Sequence, residues 1–289
     1  MKRDIRDMVV VITGASAGIG RALAEQLAPR GAKLVLAARR ADRLEDLKTR
    51  LAAADHKARP MGRAYDEPGA HHEPLVVVTD VAKREDCENL VARAIERFGR
   101  IDTLVLNAGY GLYRRVSDFS PDDVRKMFAT NVFGTTDCIA AAAPHLLKQS
   151  LRDGWRAQVI IVSSAAARRS PPYLGPYGAT KAAQLSIAEA MRVELAPQRI
   201  AVTSVHPIMT KTEFGDVAEA AGDVRLPRTG PSQTVEQVAA AMVKGIERPR
   251  PEVWPHRRSR WTLSLATLLP GLADEVLSRY RQRVEGKSR

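Results

Sequence analysis

Short apolar runs rich in β-branched residues recur along the chain, and each is followed by a segment of helix-forming composition. Such runs are typical of strands buried on both faces, and their alternation with helices predicts a parallel sheet covered on both sides. In sheets of this kind, ligands bind beyond the carboxyl ends of the strands. Four of the runs end at residues suited to binding or chemistry, namely Gly14, Asp80, Asn107 and Ser164. The sequence therefore predicts an α/β fold, a doubly wound parallel sheet, with a ligand site at one edge.

The first apolar run, residues 8–12, leads directly into a glycine-rich turn and the start of a helix. Gly14, Gly18 and Gly20 form the spacing G-x-x-x-G-x-G, which differs from the better-known G-x-G-x-x-G fingerprint. Glycines let a phosphate approach the backbone closely, and the unpaired N–H groups of a helix amino terminus attract an anion. The order of strand, turn and helix therefore predicts a phosphate cradle.

The second run, residues 33–38, ends in Arg39 and Arg40. In dinucleotide-binding folds this position faces the adenosine ribose, where a carboxylate binds the 2′-hydroxyl. No carboxylate stands here, and an arginine suits a 2′-phosphate through forked, charge-assisted hydrogen bonds. The pattern favours NADP(H) over NAD(H), although basic residues also commonly follow strands without any such role.

Tyr177 and Lys181 are one turn apart on a predicted helix, and Ser164 lies at the end of the strand before it. A phenol with its ordinary pKa near 10 is a poor acid or base at neutral pH. An ammonium group nearby lowers that pKa, and a bound cationic nicotinamide would lower it further. The three side chains outline a proton-transfer site. A Tyr-x-x-x-Lys pair also recurs by chance on surface helices, so the prediction depends on the other motifs.

Two segments interrupt the alternating pattern. Residues 55–74 contain three prolines, two glycines and three of the six histidines, which predicts a surface excursion. Residues 213–231 show no clear pattern and lie where a substrate lid could sit. We expect a dinucleotide-binding and catalytic domain over residues 1–255 and a C-terminal extension over residues 256–289.

The extension carries apolar residues at roughly helical spacing, interrupted at Pro270, which predicts two short amphipathic helices. Residues 248–289 contain ten basic and four acidic residues, half of the net charge of +12. The helices could cap a substrate pocket, pair subunits, or lie on a membrane surface with Trp254 and Trp261 at the interface. Packing against protein is commoner, so membrane contact ranks last. A solvated basic surface is preferred over nucleic-acid binding, because the sequence has no zinc-finger or RNA-binding aromatic pattern.

Composition narrows the class of protein further. Cys87 and Cys138 are the only cysteines, and neither has a paired or metal-binding spacing, so we predict no disulfide and no metal site. The sequence has no signal-peptide pattern and no apolar run long enough to span a bilayer. These features predict a cytoplasmic protein. Apolar residues make up 45% of the chain, enough for one large α/β core.

Together, these motifs closely resemble the short-chain dehydrogenase/reductase family, in its compact branch, over about residues 8–255. The residues that carry the resemblance are Thr13, Gly14, Gly18, Ile19, Gly20, Asp80, Asn107, Ala108, Gly109, Asn131, Ser164, Tyr177 and Lys181. The resemblance implies a Rossmann-type fold, an NAD(P)-dependent oxidoreductase activity, and a homodimer or homotetramer.

The resemblance also implies roles for individual residues. Tyr177 would be the catalytic acid or base, and Lys181 would lower its pKa while binding the nicotinamide ribose. Ser164 would hold the substrate oxygen, and Asn131 would anchor the water of a proton relay. Within the cofactor site, the glycine turn would hold the pyrophosphate, Asp80 the adenine and Arg39 the 2′-phosphate. The full set of implied cofactor contacts is Gly14, Ser16, Gly18, Ile19, Gly20, Arg39, Asp80, Val81, Asn107, Ala108, Gly109, Tyr177, Lys181, Pro207 and Thr212.

The chain departs from the family pattern after its sixth strand, where Pro207 is followed by Ile208 instead of glycine. A β-branched side chain beside the nicotinamide would reshape the floor of the pocket, whereas Thr212 still occupies the position of a carboxamide contact. Apolar residues flank the expected site and predict a bulky or lipid-like carbonyl substrate; they are Leu112, Tyr113, Tyr173, Leu174, Met209 and Phe214.

Two hypotheses of function follow. The first is an NADP(H)-dependent carbonyl reductase or alcohol dehydrogenase that acts on an apolar small molecule. The second is a non-enzymatic NADP-binding sensor or scaffold, because a fold alone does not settle function. Such proteins often lack a member of the catalytic set, whereas Asn131, Ser164, Tyr177 and Lys181 are all present here.

Overall fold

The computed structural model of the chain describes residues 2–58, 73–220, 222, 224, 226 and 231–286. Its centre is a sheet of seven parallel strands in the order β3-β2-β1-β4-β5-β6-β7. In chain order the strands are β1 (Val9–Thr13), β2 (Lys33–Ala38), β3 (Leu75–Val78), β4 (Thr103–Leu106), β5 (Ala157–Val162), β6 (Ile200–Val205) and β7 (Glu252–Val253). The order reverses between β1 and β4, and such a reversal opens a cleft at the carboxyl ends of the strands.

Helices connect these strands. In chain order they are α1 (Gly18–Leu27), α2 (Ala41–Ala58), α3 (Arg84–Phe98), α4 (Pro121–Phe128), α5 (Gly134–Lys148), α6 (Gly175–Leu195), α7 (Glu213–Ala220), α8 (Val235–Glu247), α9 (Arg257–Leu268) and α10 (Pro270–Val284). A π-helical turn, Ala129–Phe133, joins α4 to α5. No helix in the described part of the chain has the length and apolar content needed to cross a bilayer.

The two faces of the sheet are covered by different helices. On one face, side chains of α1, α2 and α8, including Leu23 and Met242, join a buried cluster with the strands. On the other face, α3, α5 and α6 contribute to a second cluster that includes Leu90 and Met191. Because the central strands are buried on both sides, their sequences are continuous apolar runs rather than alternating ones. The predicted doubly wound, Rossmann-type α/β fold is confirmed.

Local signals in the sequence set several helix boundaries. Thr234 and Gln237 form a reciprocal capping box at the start of α8, which pairs two backbone N–H groups that the helix itself leaves free. At the end of α3, Gly99 has a φ of 73°, in the left-handed region that glycine tolerates best. A Thr-x-x-Gln pattern and a glycine thus mark these two boundaries in the sequence itself.

Two expectations about irregular segments are wrong in part. The segment predicted as an excursion, 55–74, begins inside α2, whose alanine-rich sequence favours helix as far as Ala58, while residues 59–72 lie outside the described part of the chain. Residues 213–231 were expected to lack a pattern, yet α7 occupies 213–220. The Thr212 hydroxyl accepts a hydrogen bond from the Phe214 N–H (3.1 Å), which supports the first turn of α7. The two helices predicted for the C-terminal extension are present as α9 and α10.

Candidate active site

A cavity of about 1520 Å³ opens at the carboxyl ends of the strands. It is larger than the ~300–1,000 Å³ of an ordinary small-ligand pocket, so a dinucleotide and a second molecule can share it. Most of the residues predicted for the site line this cavity: Gly14, Ser16, Gly18, Ile19, Arg39, Asp80, Val81, Asn107, Ala108, Gly109, Ser164, Tyr177, Lys181, Pro207 and Thr212. Gly20 and Asn131 do not line the cavity. Gly20 packs against Gly14, and Asn131 packs against Gly109, behind the cavity wall.

The glycine-rich turn is shaped to hold an anion. Gly14 and Gly18 have φ values of 67° and 55°, and a Cβ on Gly20 would lie 2.5 Å from the Gly14 carbonyl oxygen. The helix that follows, α1, begins after Ala17, whose methyl side chain cannot accept a hydrogen bond from the first N–H groups. The first turn of α1 also has no acidic residue. Those N–H groups therefore stay available to a phosphate. The turn fits the pyrophosphate of a dinucleotide.

Asn107 holds this turn against the next strand. Its side-chain Nδ2 donates to the carbonyl oxygens of Thr13 (2.9 Å) and Gly14 (3.3 Å), and its backbone N–H donates to Thr13 Oγ1 (2.9 Å). The sequence predicts Asn107 only as a cofactor contact. The structure shows a second function, since the amide links the ends of β1 and β4 at the point where the strand order reverses.

Arginines stand where the 2′-phosphate is expected. Arg39 lines the cavity and is exposed. Arg40 donates to Ser16 Oγ (3.2 Å) and forms an ion pair with Glu213 at the start of α7 (3.2 Å), which also pairs with Arg43 (2.7 Å). The guanidinium group of Arg43, followed by that of Arg40, lowers the pKa of Glu213. The sequence did not predict this contact, in which Glu213 links α7 to Arg40 and Arg43.

Tyr177 lies in the cavity on the first turn of α6, next to Ser164. Its ring packs at a tilt against Phe214 of α7, with 5.4 Å between the ring centres, and Gly111 leaves room for both rings. Desolvation raises the pKa of Tyr177 to about 12, although the neighbouring Ser164 hydroxyl opposes part of that rise. Without a cofactor, the phenol is therefore protonated at neutral pH.

Lys181 lies one turn further along α6, and its Nζ is 5.7 Å from the centre of the Tyr177 ring. Nζ donates to the Val162 carbonyl oxygen (2.9 Å) and to Gln184 Oε1 (2.9 Å). Burial lowers the pKa of Lys181 to about 7, so the amine and ammonium forms coexist near neutral pH. The predicted phenol and amine are brought together, with the amine held by the end of β5 and by Gln184.

Asn131 is fully buried in the π-helical turn. Its Oδ1 accepts from the Tyr110 N–H (3.0 Å), and its Nδ2 donates to Tyr110 O (2.9 Å) and Thr180 Oγ1 (3.0 Å). Its backbone carbonyl accepts from Gln184 Nε2 (2.6 Å). Gln184 thus links Lys181 directly to Asn131, in a place where the family resemblance implies a water molecule.

Two residues of the site, Gln184 and His206, were not predicted from the sequence. Gln184 could have been predicted from the sequence, because it is a polar residue one turn after Lys181 on the buried face of the same helix. Buried His206 follows β6 and stacks on Trp254 with 4.4 Å between ring centres. Its Nδ1 is 3.3 Å from the Ser164 carbonyl oxygen, which can only accept, so Nδ1 carries the proton. Burial lowers the pKa of His206 to about 4, and this neutral ring positions the Ser164 backbone.

The apolar part of the cavity agrees with most of the predicted flanking residues. Tyr113, Leu174, Met209 and Phe214 line it, as does Ile208 in the place of the usual glycine. Leu112 and Tyr173 are buried but do not line it: Tyr173 belongs to a buried cluster with Tyr113, Ala218 and Leu226, and its hydroxyl donates to Glu285 (3.0 Å). The remaining wall comes from α9 and α10, through Leu263, Ala266, Ala273, Leu277 and Tyr280 among others. Among the described residues, no group of three or more His, Cys, Asp or Glu side chains is arranged to hold a metal ion.

This combination of a doubly wound sheet, a phosphate-binding turn and a Ser-Tyr-Lys group in one cavity defines a dinucleotide-dependent oxidoreductase. Comparison with known proteins agrees. The family model for the short chain dehydrogenases matches residues 8–221. An uncharacterized oxidoreductase of Listeria innocua is 36% identical over 212 residues, which are 73% of this chain and 77% of the relative.

Solved structures agree as well. A short chain dehydrogenase/reductase from Burkholderia phymatum in complex with NAD matches with a TM-score of 0.76 and 25% identity, covering 93% of this chain and 96% of that one. An alcohol dehydrogenase from the archaeon Thermococcus sibiricus, complexed with 5-hydroxy-NADP, matches with a TM-score of 0.68 and 27% identity, covering 86% and 95%. The chain belongs to the short-chain dehydrogenase/reductase family. The predictions of that family and of an NAD(P)-dependent oxidoreductase are confirmed.

Proposed function

We propose that the protein is an NADP(H)-dependent oxidoreductase that interconverts a carbonyl and an alcohol on an apolar small molecule. The observation that carries the proposal is the placement of Ser164, Tyr177 and Lys181 in the same cavity as the glycine-rich turn. A phosphate-binding turn alone fits any nucleotide-binding protein. A phenol and an amine beside it supply what an oxidoreductase needs for proton transfer.

The roles of the side chains follow from their chemistry. A bound nicotinamide supplies the hydride in reduction and accepts it in oxidation. During reduction the Ser164 hydroxyl donates a hydrogen bond to the carbonyl oxygen of the substrate, and Tyr177 transfers its phenolic proton to that oxygen. The Lys181 ammonium group favours the phenolate that remains, because opposite charges attract strongly in a buried site. Oxidation runs through the same groups in reverse, with the phenolate as the base.

The lining of the cavity supports an apolar substrate. Ile208, Met209 and Phe214 line the cavity together with Tyr177, and leucine and alanine side chains of α9 and α10 form a further part of its wall. Burying apolar surface contributes about 25 cal/mol per Å², so a wall of this kind favours a bulky hydrophobic carbonyl compound. A small polar substrate would leave much of this wall in contact with water.

The test is a screen for oxidation of NADPH and NADH against aliphatic, aromatic and polycyclic ketones and aldehydes, with Tyr177→Phe as the matched control. Turnover that requires Tyr177 supports the proposal. Tight NADPH binding without turnover of any carbonyl or alcohol would instead favour the second hypothesis, a sensor or scaffold protein. That alternative has less support, since the complete set of Asn131, Ser164, Tyr177 and Lys181 is present.

The cofactor preference is tested at Arg39. Loss of charge-assisted hydrogen bonds to a 2′-phosphate corresponds to about a tenfold to hundredfold change. We therefore expect Arg39→Ala to raise the KM for NADPH by about that factor and to leave the KM for NADH nearly unchanged. Arg93→Ala, which removes an exposed arginine on α3, is the control. Equal effects on both cofactors would contradict the preference for NADPH.

The homo-oligomeric state and the cytoplasmic location stay predictions, as does the division into residues 1–255 and 256–289. The family resemblance supports a dimer or tetramer, and sedimentation velocity measures the state directly. A truncation at residue 255 tests the division, because the shorter chain should keep a cooperative thermal transition if the sheet folds without α9 and α10.

A further inference from the structure

Part of the apolar surface of the two C-terminal helices is exposed to solvent. Six large hydrophobic residues of this segment are well exposed, and we call them the outer face: Trp261, Leu265, Leu268, Leu269, Leu272 and Val276. Trp261 and Leu268 have 74% and 76% of their surface accessible. Trp261, Leu265 and Leu268 follow one another at helical spacing on α9, and Leu272 and Val276 do so on α10. Single exposed hydrophobic residues are normal, but a continuous group marks an interaction surface.

The opposite side of the same helices is attached to the protein through polar contacts at both ends of α10, where Val284 also packs against a buried cluster. Arg169 forms an ion pair with the Asp274 carboxylate and donates a hydrogen bond to the Pro270 carbonyl oxygen at the start of α10. At its end, Glu285 accepts from the Tyr173 hydroxyl (3.0 Å) and pairs with Arg115 (3.2 Å). An amphipathic surface helix normally buries its apolar stripe and exposes its charges. Here a large part of the apolar surface faces outward, so the arrangement fits a second apolar medium on that side.

The charges at the ends of the helices indicate which medium that is. Arg257, Arg258 and Arg260 lie in the first turn of α9, and Arg279, Arg281 and Arg283 lie in the last turns of α10, while these helices contain only two acidic residues, Asp274 and Glu275. The apolar side chains lie between the two groups of arginines along the chain. The Arg260 guanidinium group lies 5.9 Å from the centre of the Trp261 ring. Arginine next to an exposed tryptophan is typical of helices that lie at a lipid headgroup layer.

We propose that the outer face docks on the surface of an anionic lipid bilayer. The hydrophobic side chains enter the boundary between headgroups and acyl chains, and the arginines contact the anionic headgroups. A second copy of the chain is disfavoured as the occupant, because two such faces would bring two sets of arginine-rich helix ends together, in a protein of net charge +12. The inference goes beyond the proposed reaction and does not depend on it.

The location of the outer face gives the docking a consequence for the cavity. Leu265, Leu269, Leu272 and Val276 also line the cavity, so the outer face borders the cavity directly. A bilayer seated on this face would meet the mouth of the cavity directly. Trp261 and Leu268 do not line the cavity, which makes them suitable for a test that leaves the site itself intact.

The test is flotation of the full-length protein with vesicles of phosphatidylcholine alone and with vesicles that also contain phosphatidylglycerol. We expect the wild type to float with the anionic vesicles and to be released by salt. The double variant Trp261→Glu, Leu268→Glu should lose at least about tenfold in partition coefficient, since two large apolar contacts are replaced by charges that anionic lipid repels. Val193→Glu, which replaces an equally exposed valine (75%) on α6, should float like the wild type.

Three results would overturn the inference. Wild type that stays at the bottom of the gradient with anionic vesicles contradicts it, and so does a double variant that floats as well as the wild type. The third is a lipid-free homo-oligomer that the double variant dissociates, because the outer face would then be a subunit interface. Thermal denaturation of each variant checks that the fold is retained. None of these measurements uses turnover, so they remain informative if the proposed reaction is wrong.

Discussion

Tyr177→Phe is expected to lower kcat for carbonyl reduction by about 10²–10⁴-fold, the range that general acid catalysis contributes. The phenolic oxygen is the group that gives up the proton, and phenylalanine keeps the ring but has no proton to give. Because the ring of residue 177 packs against Phe214 at 5.4 Å between centres, the substitution should leave that contact and the glycine-rich turn in place. Stopped-flow or steady-state oxidation of NADPH with the best carbonyl substrate measures the loss.

Cofactor binding is the control for this variant. The dissociation constant for NADPH, measured by fluorescence or calorimetry, should change by less than about threefold, since most of the predicted cofactor contacts are at the glycine-rich turn and at the ends of β2, β3 and β4. A second control is Tyr173→Phe, a buried tyrosine outside the cavity that donates to Glu285. It should retain most of the activity. Near wild-type turnover by Tyr177→Phe would show that another group transfers the proton, and the assigned mechanism would be wrong.

The pH dependence follows from the state of the same phenol. Desolvation raises the pKa of Tyr177 to about 12 in the free protein, so the protonated form needed for reduction is present throughout the neutral range. Alcohol oxidation needs the phenolate, and its rate should therefore rise with pH until the effective pKa in the cofactor complex is passed. Tyr177→Phe should remove this rise from whatever residual rate is left.

The fold and the predicted site follow closely from local sequence. Each buried strand is a short β-branched run, and the residue after the run is fixed at the carboxyl edge of the sheet by the strand itself. Gly14, Asp80, Asn107 and Ser164 therefore reach one cleft whatever the details of the loops between them. Tyr177 and Lys181 meet because residues four apart share a helix face. None of these placements requires knowledge of a long-range contact.

Most of the features that the sequence did not predict depend on contacts between distant segments. Glu213 pairs with Arg40 and Arg43 across about 170 positions of chain, and His206 contacts Ser164 across 42. Tyr173 was expected at the cavity because it is near Tyr177 in sequence, yet it does not line the cavity, and its hydroxyl donates to Glu285, 112 positions away. The exposure of apolar residues on α9 and α10 could not be predicted either. Helical spacing shows that these residues share one face of a helix, but it does not show whether that face contacts the rest of the protein.

Gln184 is the missed residue with the largest expected effect on catalysis. Its Oε1 accepts from Lys181 Nζ at 2.9 Å, and its Nε2 donates to the Asn131 carbonyl oxygen and to Thr135 Oγ1 (2.8 Å). The Gln184 amide thus accepts from the ammonium group through its oxygen and donates to two acceptors through its nitrogen. Hydrogen bonds that involve a charged group contribute about 1.5–3 kcal/mol, so Gln184→Leu should lower kcat by about tenfold to hundredfold.

The pH profile separates this positioning effect from a general loss of structure. An acceptor beside an ammonium group favours its charged form, so removing Oε1 should take the pKa of Lys181 below its present value of about 7. Activity that depends on the ammonium form should then decline at a lower pH in Gln184→Leu than in the wild type. Gln184→Glu places a carboxylate at the same point, which should raise the pKa of Lys181 and shift the decline to higher pH.

The opposite shifts of these two variants are what a merely structural glutamine would not produce. Both substitutions remove the N–H₂ group that bonds Asn131 and Thr135, so both should lower Tm, whereas only Gln184→Glu places a charge beside Lys181. Profiles of kcat against pH that fall together, or that shift in the same direction, would show that Gln184 supports the fold without setting the charge of Lys181. Shifts in opposite directions would show that one amide, at a position where the family resemblance implies a water, determines the charge state of the amine beside the phenol.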